Sequence, residues 1–117
     1  MRFYRGDIVW ADLDPSAGHE QNKRRAVVVV SNNTFNERCS LAMAVPITST
    51  DNGYPLHLDI GDIPTEDYSG SIRGYAEIEQ LKSLDLAARD ARCVGHLDFW
   101  VVDRMTELIE GCIEDAG

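Results

Sequence analysis

The chain lacks the features that define several protein classes. Its three cysteines among 117 residues, Cys39, Cys93 and Cys112, are far apart and include no CxxC pair. This excludes a disulfide framework, a zinc ribbon and a dithiol redox centre, leaving reduced thiols in packed positions. His19, His57 and His96 form no HxH or HxxxH pair, so no metal and no cofactor is expected. The longest apolar run, Leu41–Ile47, has seven residues, far short of the ~18 of a membrane span. Arg2, Arg5 and Asp7 make the N-terminus polar too early for a secretory signal, and a cytoplasmic protein is expected. Aromatic residues are 8% of the chain and scattered, which argues against an SH3-like adaptor that works through an aromatic groove.

Positive charge is scarce as well. Eleven Lys and Arg face 20 Asp and Glu, a net charge of −9, whereas nucleic-acid binders usually carry a basic footprint. The balance is uneven, however. Residues 1–50 hold six bases and five acids, and residues 51–117 hold five and fifteen. The basic run Lys23-Arg24-Arg25 lies in the near-neutral part. The total is therefore a poor guide to any one surface, and it leaves room for a nucleic-acid partner only at one small site, with few phosphate contacts and a shallow salt dependence.

What is present is a series of short strands and one helix, with no repeats and no linker, hence one domain over residues 1–117. Asp7–Leu13 reads as a strand stopped by Asp14-Pro15, and Ser16–Arg24 as an exposed polar loop. Arg25–Ser31, with four valines, has the character of a strand buried on both faces. Asn32–Arg38 is a turn with about one turn of helix. Ser40–Thr48 is a third strand whose Pro46 marks an edge or bulge. After the turn at Gly53-Tyr54-Pro55, Leu56–Ile60 alternates as a strand with one wet face. Gly61–Gly70, acidic and without a base, reads as a loop. Gly74–Leu81 is a strand with Tyr75, Glu77 and Glu79 on one face. Ser83–Asp85 opens a helical turn, and Arg92–Val94 is a last strand. From Leu97 the period changes: Val102, Met105, Ile109 and Cys112 form the stripe of an amphipathic helix with Asp98 as its N-cap. The sum is a small, strongly curved antiparallel sheet or barrel with a C-terminal helix.

Chemistry concentrates in the loop His19-Glu20-Gln21-Asn22-Lys23-Arg24-Arg25. Arg25 directly precedes the buried valines, where its neighbours can hold it rigid, and a planar guanidinium suits a phosphate or a doubly charged phosphorane.

Arg5-Gly6-Asp7-Ile8-Val9-Trp10, Asp12-Leu13-Asp14-Pro15, Gly18-His19-Glu20-Gln21 and Arg25 before the valines together resemble the MazF/PemK/Kid family of toxin endoribonucleases. The resemblance continues through Val30-Ser31-Asn32, Phe35-Asn36, Pro46-Ile47-Thr48-Ser49, Gly53-Tyr54-Pro55, Gly74, Glu79-Gln80, Lys82-Ser83-Leu84-Asp85 and Arg89. It spans nearly the whole chain; no single piece is diagnostic, but their common order is. It implies an SH3-like small barrel of the CcdB/MazF type with peripheral helices, acting as a homodimer. It also implies metal-independent cleavage of single-stranded RNA, messenger RNA first among the candidates, by attack of the 2′-hydroxyl. The products are a 2′,3′-cyclic phosphate and a 5′-hydroxyl.

The family's arginine and threonine map onto Arg25 and Thr48, as catalytic residues. Its Glu-Gln loop pair maps onto Glu20 and Gln21, and its later acid-Gln pair onto Glu79 and Gln80. With Asn22, Lys23 and Arg24, the residues Gln21, Glu79 and Gln80 are the expected RNA contacts. His19, whose imidazole titrates near neutrality, or Glu20 is the expected base. A cognate antitoxin is implied too, with an acidic C-terminal segment that folds into the RNA groove. Two positions depart from the pattern: Ala26 replaces the usual proline after the arginine, and Glu77 stands where some relatives place an arginine. The alternative, a CcdB-type gyrase poison without nuclease activity, has no use for Arg25, Thr48 or the Gly-His-Glu-Gln loop.

Overall fold

A computed structural model describes residues 2–13, 24–51 and 53–115. Seven strands and two helices follow in the order β1 (Asp7–Asp12), β2 (Arg24–Val29), α1 (Asn33–Arg38), β3 (Ala42–Thr48), β4 (His57–Pro64), β5 (Ser71–Glu77), β6 (Lys82–Leu84), β7 (Arg92–His96) and α2 (Phe99–Ile113). All pairings are antiparallel, in the order β4-β5-β3-β2-β1-β7, with β6 added to β3. The sheet curls until its ends meet, where the Glu66 amide donates to the Val94 carbonyl at 2.8 Å.

The valine run explains the layering. Val28 and Val30 join Ile8, Val45, Ile47, Ile60, Ala76 and Ile78 in a core closed by Val101, Val102 and Met105 of α2. Val27 and Val29 point the other way, into a second core with Phe3, Val9, Ala11, Ala44, Leu84 and Leu86. The expectation of a strand buried on both faces holds. Each such side chain contributes about 1.5–3 kcal/mol by leaving water.

The β2–β3 connection is stitched by polar groups. The Asn32 side chain caps α1 by accepting from the Phe35 amide at 2.8 Å. Buried Ser31 accepts from the Met43 amide at 2.9 Å, and Asn36 donates to the Ser31 carbonyl at 3.0 Å. Arg5 ties α2 to the strands through Asp103 at 3.1 Å and Thr106 at 2.9 Å.

Several expectations are corrected. Pro46 is buried inside β3; its outer neighbours are β5 beside Ile47 and Thr48 and β6 beside Ala42–Ala44, so it falls between two ladders and needs no N–H there. Gly61–Gly70 is not all loop, because β4 continues to Pro64 and Thr65–Gly70 forms a tight turn. Asp67 organises that turn, accepting from Thr65 Oγ1, Ser69 Oγ and the Ser69 amide. The strand expected over Gly74–Leu81 stops at Glu77 and gives way to a 3₁₀ turn at Ile78–Gln80. Lys82–Leu84 is a strand rather than helical, and the 3₁₀ turn comes later, at Ala87–Arg89. Asp98 occupies the cap of α2 without a side-chain capping bond. Cys112 is exposed, and Cys39 and Cys93 are only partly covered, so none of the cysteines is a fully packed core residue.

Candidate active site

Arg25 and Thr48 meet at the mouth of the curled sheet. Val27 pairs with Pro46 and Val29 with Ala44 across β2 and β3; extending this register sets Arg25 opposite Thr48. Both line a shallow cleft of 730 Å³ with Trp10, Arg24, Ile47 and Glu77. On its other side Arg25 is the register partner of Ala11 in β1.

Two acceptors fix Arg25. Its Nη2 donates to Glu77 Oε1 at 2.6 Å and to the Ile47 carbonyl at 3.1 Å. Among the described residues, Nη1 and Nε have no partner, which leaves one edge of the fork for a ligand. The Thr48 hydroxyl accepts from the Thr50 amide at 3.2 Å and keeps its own proton for donation. Gly74 lets β5 close on this point: at φ +144°, a Cβ there would stand 2.5 Å from the Thr48 carbonyl oxygen and 2.8 Å from Ile47 Cγ2.

Arg24, adjacent in sequence, is held otherwise. It pairs with Asp12 at 3.1 Å and Asp90 at 3.4 Å, donates to the Asp90 carbonyl at 3.1 Å, and lies over the Trp10 ring. Arg89 fastens the end of β1 by donating to the carbonyls of Asp12 and Leu13 at 3.0 and 3.1 Å. His19, Glu20, Gln21, Asn22 and Lys23 lie outside the described residues.

Glu79 and Gln80 sit on the 3₁₀ turn and are exposed. Glu79 Oε2 is 3.0 Å from His57 Nε2. Burial pushes the Glu79 carboxyl up, but hydrogen bonds from His57, its own backbone and Gln80 outweigh this and hold it below the ordinary carboxylate value. His57 was expected on the wet face of its strand; instead its side chain is 6% exposed, packed edge-on against Tyr54. A His57 ring nitrogen and one carboxylate oxygen each of Glu77 and Glu79 lie within 4.8 Å of one another. The pairing of Glu77 with Arg25 and the cluster behind it escaped sequence reasoning. The available signal was the coincidence of an acid at position 77 with an arginine ahead of the valines.

A curled antiparallel sheet backed by one C-terminal helix, with an arginine and a threonine at its mouth, is a MazF/CcdB-type fold. Residues 4–110 match the family described as PemK-like, MazF-like toxin of type II toxin–antitoxin system. The chain belongs to that family. It is 36% identical to the endoribonuclease toxin MazF of Escherichia coli K12 over 87 residues, 74% of this chain and 71% of that one. It is 31% identical to the endoribonuclease toxin ChpB of the same organism over 120 aligned positions, covering 96% and 95%. Among solved structures, the MazE–MazF complex of Deinococcus radiodurans (Form-II) superposes with a TM-score of 0.80 at 26% identity, covering 97% of this chain and 96% of that one.

Proposed function

We propose that this protein is the endoribonuclease of a toxin–antitoxin pair, cutting single-stranded RNA, messenger RNA included, at the Arg25–Thr48 cleft. The observation that carries the reading is a guanidinium anchored through one nitrogen, with its other edge unpartnered among the described residues, beside a hydroxyl that accepts from the Thr50 amide and has its proton to donate. The curated relatives are themselves named endoribonucleases. The nucleophile is the RNA's own 2′-hydroxyl, so the chemistry asks chiefly for alignment and for donors at the phosphoryl oxygens as their charge grows. Arg25 supplies two N–H groups to those oxygens and Thr48 an O–H. His19 or Glu20 of the preceding loop is a candidate for the proton transfer, and Gln21, Asn22, Lys23, Arg24, Glu79 and Gln80 for RNA contacts.

The MazE–MazF complexes support an antitoxin as partner, one whose acidic C-terminal segment competes with RNA for the cleft. A second copy completes a homodimer, consistent with exposed Phe99, Trp100 and Ile113 on α2. The place of action is the cytoplasm; among the described residues no helix is long and apolar enough to cross a membrane. Incubating a long single-stranded transcript with the protein in excess EDTA tests the activity. Discrete fragments ending in 2′,3′-cyclic phosphate and 5′-hydroxyl are expected. Intact RNA with trapped gyrase–DNA complexes would instead establish the CcdB-type alternative.

A further inference from the structure

Arg25 and Thr48 stabilise charge, but neither can take the proton of the attacking hydroxyl: a guanidinium stays protonated to pH ~12, and an alcohol is a very weak base. Of the described side chains that line the cleft, Glu77 is the one carboxylate, and no histidine stands among them. Building on the ribonuclease reading, we infer that Glu77 is the general base of the cleavage step, held in place by a His57–Glu79 pair behind it.

Geometry carries the assignment. The attacking 2′-oxygen and the non-bridging oxygens share one phosphorus in the transition state. The base and the charge-stabilising donor must therefore stand side by side, within reach of the same phosphorus. Glu77 Oε1 and Arg25 Nη2 are 2.6 Å apart. The Glu77 side chain retains 18% of its exposure, enough to be reached from the cleft. In the step, the proton of the 2′-hydroxyl passes to Glu77 and the O2′–P bond forms. The P–O5′ bond breaks, the 5′-oxygen takes a proton from solvent, and Glu77 later returns its own proton to solvent.

The support behind Glu77 is built into the sheet. His57 and Glu77 are register partners across β4 and β5. Two carboxylates so close repel each other, and the His57 bond to Glu79 removes that second anion from competition for Arg25. His57 Nδ1 is buried without a hydrogen-bond partner among the described residues. Such a group is costly to bury, so a histidine here is hard to explain by packing alone. The groups that face Glu77 are Arg25 from β2, His57 from β4 and Glu79 from the 3₁₀ turn, with Arg24 and Arg73 further along the cleft. His57 is a positioning residue in this scheme.

The test is single-turnover cleavage of a defined transcript in EDTA across the pH range, for the full chain and for Glu77→Gln, Glu77→Asp and His57→Gln, with thermal melts of each. Glu77→Gln should lose about 10²–10³-fold in rate while melting near the parent, and its acid limb should flatten. Glu77→Asp should recover part of the rate with the limb restored, and His57→Gln should move the limb. If Glu77→Gln does not fold, the aspartate and His57 variants decide by their pH profiles alone. Unchanged or faster cleavage with an unaltered profile would overturn the inference, moving the base to His19 or Glu20. A parent protein that leaves RNA intact fails at the earlier reading, before any variant is compared.

Discussion

Arg24 and Arg25 are neighbours on β2 with the same charge and different surroundings. The two-residue period of the strand starts their side chains in opposite directions, yet both reach the same cleft. Arg24 lies opposite Asp12 and meets a second carboxylate from Asp90, so its charge is matched and its donors are occupied. Arg25 lies opposite Ala11, and its described partners all use Nη2. One arginine closes the end of the β1–β2 ladder, and the other presents to a cleft a fork whose Nη1 and Nε have no partner among the described residues. A basic run in a sequence thus says little about binding until each member's partners are known.

The comparison can be broken most severely at Gly74, which touches the Arg25 side alone. A methyl there collides with the Thr48 carbonyl and meets a backbone conformation that L residues avoid. Gly74→Ala should cost about 3 kcal/mol, lowering Tm by roughly 10 °C. Cleavage should be lost with it, as Thr48 and Glu77 move from Arg25. Calorimetry and an RNA assay on the same sample check both.

A smaller effect sharpens the structural side of the contrast. His96 bridges Asp7 at 2.9 Å and Glu66 at 2.8 Å on the β1–β7 edge. Burial pushes the imidazole down, but the two carboxylates outweigh it and raise its pKa above the ordinary value. A raised histidine stabilises the fold while protonated, and that contribution fades as pH rises through the folded-state pKa. The Tm gap between the parent and His96→Gln should therefore be wider near pH ~6 than near pH ~9. An equal gap at both would show that the bridge carries no charge-dependent stability. Cys93, pushed up to about 11 by burial and by Asp7 and Glu66, should add no thiolate titration across that range.

Much of the fold was legible because it rests on local rules. The valine run, the capping Asn32 and the 3-4 spacing of Val102, Met105 and Ile109 each name their element. The failures share a cause. Residues 74–81 alternate like a strand, yet the chain must pass from β5, beside Ile47 and Thr48 of β3, to β6, beside Ala42–Ala44 of the same strand, and a 3₁₀ turn at Ile78–Gln80 makes the corner. Pro46 looked like a strand end because the gap between two neighbouring ladders is a tertiary fact. At the site, Arg25 and Thr48 could be named from their motif context. Glu77 looked like a departure from a pattern and His57 like a wet-face residue, because their meeting depends on β4–β5 register. Spacing in sequence likewise hid two clusters, His57 with Glu77 and Glu79, and Asp7 with Cys93 and His96.

Whether Arg25 does chemistry while Arg24 holds the fold and the rim is decided by the two alanine variants side by side. Single-turnover rates at saturating transcript in EDTA are to be compared with thermal melts. Arg25→Ala should lose about 10²–10³-fold in the cleavage rate with little change in Tm. Arg24→Ala should lose about 1 kcal/mol of stability and some RNA affinity, with the saturated rate nearly intact. Equal rate losses in both variants, or a full rate in Arg25→Ala, would contradict the account.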